Sequence, residues 1–450
     1  MKITFFGAVN GVTGSRHLIT TEENKKILID CGLFQGSHEE ELHNWDDFEI
    51  DPKSIDAVLI THSHIDHIGL LPKLVRDGFN SPIYATEPTR DFANIFLPDS
   101  ARHLAKTALY LNKPNLYEET DIPKTINLFK SIDYHKRTEI FPNVFITFYD
   151  AGHILGSAII RLEADGKSII FSGDLGNPPV PIIKDTEFVH EADYVVIEST
   201  YGDKTHSIGK NRIDELENVI EDAFTKDGSL LIPAFAMERT QELLYELNEL
   251  TSSHRIPQVP IYIDSPLANA ATEIYPKYTR YFDEEAKKMI EQNKNIFSFP
   301  GLKVISDVES SKAIDHDSAK KIIIAGSGMS TGGRIVYHEM HYLPDIKNTL
   351  LIIGYQVAGT LGRKLLDGEK HISIHHTPVE VKANIVSLDA YSAHADQPKL
   401  IYWLSELKPN LKKVFLVHGE ANAKIELQTK IKDELGYDTI VPIYKYEEEL

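Results

Sequence analysis

The rhythm of apolar and polar positions changes along this chain of 450 residues. Up to about residue 200, short β-rich apolar runs alternate with Gly, Asp and Asn turns. They predict strands over 3–9, 17–20, 27–30, 57–60, 144–149, 158–163, 168–172 and 194–198. One helical stretch, 88–111, places Phe92, Ile95 and Phe96, then Leu104, Ala108 and Leu111, on one face. Pro98 is expected to break or kink it between the two sets. Many strands with few helices between them predict sheets packed face to face with helices outside.

From about residue 205 helices and strands alternate. The pattern gives helix 211–225, strand 229–232, helix 238–250, strand 261–263, helix 266–278 and strands 321–325 and 349–353. That alternation is the signature of a parallel α/β sheet. A strand at 383–387, a helix at 397–407, a strand at 413–417 and an amphipathic helix at 423–435 follow. The α/β block, 205–382, reads as an insertion whose ends return to a unit made of 1–204 and 383–450.

Charge narrows the function classes. The chain has 47 Lys+Arg against 67 Asp+Glu, a formal net charge of −20. That sign argues against a sequence-independent duplex binder. It leaves room for a nuclease, because bound divalent metal and a locally basic cleft attract phosphates against the global sign. The single Cys31 cannot form an internal disulfide, which points to a reducing compartment. No apolar run approaches the roughly 18 residues of a membrane span, and the start, Met1-Lys2-Ile3-Thr4-Phe5-Phe6-Gly7, is too soon interrupted for a signal peptide. A cytoplasmic protein is expected.

The densest chemistry is Thr61-His62-Ser63-His64-Ile65-Asp66-His67, which follows the apolar run 57–60. A strand ending in a loop can fan His62 and His64 to one side and Asp66 and His67 to another. Four donors within six residues suit two adjacent divalent ions, zinc first and manganese or iron as alternatives. His153 and Asp174 each follow a strand beside a glycine and fit the same centre. Far downstream, His394 and His418 stand in Ser392-Ala393-His394-Ala395-Asp396 and Val417-His418-Gly419-Glu420, while Glu198 ends a strand where a carboxylate can orient a histidine. The Gly-rich stretch 326–334 lacks the ending of a phosphate-binding P-loop. It follows a strand and opens a helix, so its backbone N–H groups are candidates for an anion site. Ser327, Ser330, Thr331, Gly332 and Arg334 there, with Arg363 and Lys364 at a second Gly-rich turn, are candidate phosphate contacts. Phe297 and Phe299 are candidates for base stacking or for the core. The Glu-rich stretches 39–41 and 447–449 read as solvated surface.

Together these residues resemble a known family. His62-x-His64-x-Asp66-His67, His153 and Asp174, with Asp30 in Ile29-Asp30-Cys31-Gly32, match the motifs of the metallo-β-lactamase fold. Glu198, His394 and His418 are similar to the three further motifs of its β-CASP nucleases. Ala234-Phe235-Ala236-Met237-Glu238-Arg239-Thr240-Gln241, Asp264-Ser265-Pro266 and the two Gly-rich turns look like the inserted β-CASP domain. The chain most resembles the compact prokaryotic ribonucleases related to the cleavage subunit of the eukaryotic pre-mRNA 3′-end machinery.

The resemblance implies an αββα sandwich with an inserted parallel α/β domain. It implies one zinc held by His62, His64 and His153 and a second by Asp66, His67 and His418, with Asp174 bridging and Asp30 orienting ligand histidines from behind. Single-stranded RNA is the implied substrate, entering between the two domains, with cleavage by a metal-activated hydroxide that leaves 5′-phosphate and 3′-hydroxyl ends. His394, held protonated by Glu198, is the implied general acid. The short chain favours an endonuclease, with 5′→3′ exonuclease as the variant reading. A homodimer is an open expectation. A small-ester or thioester hydrolase of the same fold is the competing enzyme class, which the insertion disfavours because a small substrate needs no second domain. A catalytically dead scaffold is disfavoured because every ligand position is filled.

Overall fold

The computed structural model describes residues 1–206, 211–292, 295–317, 319–407 and 411–450. They fall into two units: Met1–Pro179 with Lys184–Thr205 and His394–Leu450, and Val180–Ile183 with His206–Ala393. The sequence reading put the second boundary at 382/383. It falls later because Asn384–Ser387 pairs in parallel with Thr349–Ile352 and so completes the sheet of the inserted unit.

The first unit holds two seven-stranded sheets. One runs Glu447–Glu449, Lys2–Phe5, His17–Thr20, Lys26–Ile29, Ala57–Leu59, Ile83–Ala85 and Phe129–Ser131. The other runs Thr439–Ile440, Lys413–Val417, Tyr194–Glu198, Lys167–Phe171, Ala158–Ala164, Val144–Asp150 and Thr138–Phe141. Strand periodicity of two sorts the side chains. Phe5, Ile19, Ile27 and Leu59 of the first sheet meet Phe148, Ile160, Phe171, Val196 and Phe415 of the second in one core. The intervening residues face outwards: Leu28 and Val58 pack under Leu71, Leu74 and Leu97, whereas Val195, Ile197 and Leu416 pack under Leu404, Leu427 and Ile431. The result is the expected αββα layering, with roughly 1.5–3 kcal/mol gained per fully buried aliphatic side chain.

Two local expectations are refined. The helix Glu87–Leu111 is not broken at Pro98 but runs on through it. Phe92, Phe96, Leu97 and Ala101 are buried on both sides of the proline, and that burial offsets one lost hydrogen bond. The triplet Glu447–Glu449 is solvent-facing as expected, and it is also an edge strand. It pairs antiparallel with Lys2–Thr4 through backbone bonds that do not depend on side-chain polarity, and Lys2 and Lys413 pair with Glu447 and Glu448.

The inserted unit is a six-stranded parallel sheet in the order Leu302–Val304, Ile261–Asp264, Ile322–Ala325, Leu230–Pro233, Thr349–Ile352 and Asn384–Ser387, plus a two-stranded hairpin. Phe297 and Phe299 are buried in it, Phe297 edge-on to Tyr275, so they are core rather than base-stacking surface. Among the described residues no helix is long and apolar enough to cross a membrane.

Candidate metal centre

Apart from His394, every candidate donor of the first unit sits at or just beyond the C-terminal end of a strand. Asp30 follows Lys26–Ile29, the segment His62–His67 follows Ala57–Leu59 and enters the helical turn Ile65–Ile68, and His153 follows Val144–Asp150. Asp174 follows Lys167–Phe171, Glu198 ends Tyr194–Glu198, and His418 follows Lys413–Val417. Two parallel pairings and two antiparallel ones give the second-sheet strands among these a common direction, so their ends share one edge. Sharp strand-end turns bring the side chains inwards: Asp30 has φ 59° and His418 φ 53°, strained values for residues with a Cβ. Gly173, φ 54°, is required because a Cβ there would lie 2.8 Å from Thr61 Cβ.

The donors form two sets. In the first, His64 Nδ1 lies 3.1 Å from His62 Nε2 and 3.2 Å from His153 Nε2, and Asp174 Oδ2 lies 3.4 Å and 3.6 Å from those two Nε2 atoms. The three imidazoles stand nearly edge-on to one another, at 80–85°. A tetrahedral ion with ligands at about 2.0–2.1 Å spaces them by about 3.3–3.4 Å, so this set has the spacing a zinc-sized cation asks for. In the second set, His418 Nε2 is 3.3 Å from Asp66 Oδ2 and 3.7 Å from Asp174 Oδ1, and His67 Nε2 is 3.7 Å and 3.5 Å from the same two oxygens. Asp174 thus turns one carboxylate oxygen to each set.

The electrostatics fit cations. Burial pushes the His64 imidazole down to about 3 and holds His62 and His153 below the usual range, so their lone pairs are not protonated at neutral pH. Burial works against the charge on His67 too, but Asp174, Asp30 and Asp66 together raise it well above the ordinary histidine value. His67 Nε2 and Asp174 Oδ1 are buried with no hydrogen-bond partner, the orphaned atoms that a bound ion satisfies. His64, Asp66 and His394 are half-buried and mark the open side of the centre.

The groups behind the donors fix their orientation. Asp30 Oδ2 is 2.7 Å from His67 Nδ1, and Asp30 accepts from the Thr61 N–H at 2.8 Å and the Thr61 hydroxyl at 2.9 Å. The Thr200 hydroxyl is 3.1 Å from His418 Nδ1. Sequence reasoning missed both threonines. Their only signal was a hydroxyl one residue before His62 and two residues after Glu198. His394 Nδ1 lies 3.0 Å and 3.2 Å from the oxygens of Glu198, and Glu198 also accepts from the Leu175 N–H at 2.6 Å. Burial opposes charge on His394, but Glu198, Asp174 and Asp66 push it up to about 9. His394 Nδ1 is 3.9 Å from Asp174 Oδ2, and Asp174, Glu198, His394 and His418 make a third group with metal-holding geometry.

The candidate phosphate contacts lie in the inserted unit. Ser327, Ser330, Thr331 and Gly332 form a turn whose polar groups largely satisfy one another. Ser327 N–H donates to Gly332 O, Thr331 N–H to Ser327 Oγ and Ile335 N–H to Gly326 O, while the Ser330 hydroxyl donates to buried Glu339. Arg334 turns inwards: Nη1 pairs with buried Asp264 at 2.5 Å and Nη2 donates to Ser306 O at 2.7 Å. A carboxylate with no exposure outcompetes solvent for the nearest guanidinium. Arg363 pairs with Asp367 at the surface, and Lys364 is exposed.

Comparisons with known proteins match these parts in order. A family model of the metallo-β-lactamase superfamily domain matches 18–188, one of the Beta-Casp domain matches 240–365, and one of the Zn-dependent metallo-hydrolase RNA specificity domain matches 378–442. The chain is 38% identical to Ribonuclease TTHA0252 of Thermus thermophilus over 95% of each chain. It is 31% identical to the RNase J-like protein of Methanocaldococcus jannaschii over 98% of each. It is also 31% identical to Transcription termination factor FttA of Methanosarcina mazei, over 98% of this chain and 70% of that one. A crystal structure of an Enterococcus faecalis V583 protein of unknown function superposes at TM-score 0.55 with 11% identity, covering 100% of this chain and 99% of that one, a likeness of fold.

Proposed function

The chain belongs to the β-CASP ribonuclease family of the metallo-β-lactamase superfamily and is a metal-dependent hydrolase; from that premise we propose that it is a two-zinc ribonuclease that cleaves single-stranded RNA internally. The observation that carries this reading is Asp174, one oxygen facing His62, His64 and His153 and the other facing Asp66, His67 and His418. These two sets would hold the ions. Divalent ions held there would supply a water of near-neutral pKa and offset phosphodiester charge.

The chain's own residues supply the rest. Asp30 holds the His67 ring by Nδ1, so that Nε2 faces the centre, where a bound ion would displace its proton. Glu198 fixes His394 by Nδ1 and favours its charged form, so Nε2 on the far side of the ring carries a proton to the leaving 3′ oxygen. General acid help of this kind is worth about 10²–10⁴-fold. The products would carry 5′-phosphate and 3′-hydroxyl ends. An RNA substrate is favoured by the ribonuclease relatives and by the match to the RNA specificity domain.

The test is cleavage of a 5′-labelled single-stranded RNA and its DNA counterpart, with zinc, by wild type and Asp174→Ala. Internal RNA fragments made by wild type alone support the proposal. Mononucleotide release would make the enzyme an exonuclease. Protein holding two zinc ions that cuts neither polymer would overturn the nuclease reading.

A further inference from the structure

The loop between the strands Lys2–Phe5 and His17–Thr20 touches two donors of the second set that lie 352 residues apart in the chain, all of them within the first unit. Ala8 O accepts from the His418 N–H at 2.6 Å, and Gly11 O accepts from the Gly419 N–H at 3.1 Å. At the far end of the loop the Ser15 N–H donates to Asp66 O at 2.9 Å. The loop is pinched shut at its base. There the Phe6 N–H donates to Arg16 O at 2.9 Å, and Gly7 is required because a Cβ would lie 1.7 Å from Gly14 O. Ala8 and His418 both stand at φ 53°, a strained region for residues with a Cβ. Such strain persists only where the surroundings over-determine it.

Lys424 fastens the middle of this loop. It is the fourth residue of the helix Ala421–Leu435, is 3% exposed, and donates from Nζ to Val9 O. The placement goes against two rules. A buried ammonium ordinarily sits beside a carboxylate, and among the described residues Lys424 has none. A cation near a helix N-terminus also opposes the macrodipole. Burial alone pushes the Lys424 ammonium down to about 8. An apolar side chain of similar length would fill the same space without burying charge. What the lysine adds is the bond to Val9 O, next to the strained Ala8 that accepts from His418.

We propose that Lys424 is a positioning residue for the second metal ion: through Val9 O it holds the loop 7–15 against the backbones of His418 and Asp66, and so sets the affinity of that donor set without touching it. This rests on the reading that Asp66, His67 and His418 hold an ion. Groups that orient metal ligands from behind are worth about 10–100-fold in metal affinity.

The experiment is chelator competition on the zinc-loaded full chain, for wild type, Lys424→Met, Lys424→Gln, Leu427→Ala and His418→Ala, each also read for thermal midpoint. The zinc-release step that His418→Ala lacks marks the second site. Lys424→Met keeps the apolar stem and deletes the donor, whereas Lys424→Gln offers an N–H with a shorter reach. Leu427→Ala removes apolar packing from the same helix and leaves the bond to Val9 O in place. Lys424→Met is expected to weaken the second zinc ion about 10–100-fold and Lys424→Gln by less, with the first ion unchanged in both. Leu427→Ala is expected to lower the thermal midpoint and leave both affinities as they were. Equal weakening of the two ions, an unchanged second ion, or the same selective loss in Leu427→Ala would make Lys424 merely structural and overturn the proposal. A wild type that takes up a single zinc ion would sink the two-ion reading and the proposal with it, an outcome seen before any variant is made.

Discussion

Two regions of this molecule bury charge, and they balance it differently. At the candidate metal centre the described ion pairs of Asp30, Asp66, Asp174 and Glu198 are all with histidines. In the inserted unit, Glu242 and Glu246 meet Arg212 and Arg239. A guanidinium stays charged in proteins, whereas an imidazole carries charge only if it takes a proton. The second region balances its formal charge with side chains alone, which is what a structural network needs. The first is short of fixed positive charge. Divalent ions supply what is missing there.

The largest effect should therefore come from the residue that serves both donor sets. Asp174→Ala is expected to lower bound zinc below two per chain, measured by atomic emission, and to slow RNA cleavage by about 10³-fold or more, since the loss of metal-borne charge stabilisation is worth several kcal/mol. Glu242→Ala should do the reverse. It leaves Arg212 and Arg239 less compensated inside the inserted unit and should cost about 3–5 kcal/mol of stability by denaturant unfolding, with zinc per folded chain unchanged. If Glu242→Ala stripped zinc, or Asp174→Ala left two ions in place, the contrast between the regions would be wrong.

Part of this was legible in the sequence, and the reason is spacing. His62 and His64 lie on a strand-end loop and Asp66 and His67 on the helical turn Ile65–Ile68 that follows it, so their division between two sides follows from local geometry. His418 stands beside Asp66 from 352 residues away, which no local pattern conveys; only the resemblance joined them in advance. The strand Asn384–Ser387 read correctly as a strand and wrongly as to its sheet, because pairing is a nonlocal choice. Glu447–Glu449 hid as a strand because its side chains advertise surface while its backbone does the pairing. Arg334 has a partner the sequence could not show: its charge suggested a phosphate, and Asp264, with which it pairs, lies 70 residues earlier in the chain.

A third buried site lies between the two extremes and gives the smallest expected effect. In the inserted unit His338 lies between two carboxylates, Nε2 2.8 Å from Asp264 and Nδ1 2.7 Å from Asp315. Like the metal centre it sets histidine against carboxylate; like the network it recruits an arginine, Arg334. Burial opposes charge on His338, yet hydrogen bonds to Asp264 and Asp315 push it up to about 9. With a folded value above the unfolded one near 6.5, the stabilisation is fully present below about pH 6.5 and shrinks as pH rises, being lost once pH passes about 9. The whole span is about 3 kcal/mol. Thermal unfolding of wild type between pH 6.5 and 9.5 should fall more steeply than that of His338→Gln, whose profile should flatten because the titrating group is gone. Parallel profiles would mean that His338 is held neutral, and that Arg334 alone balances Asp264.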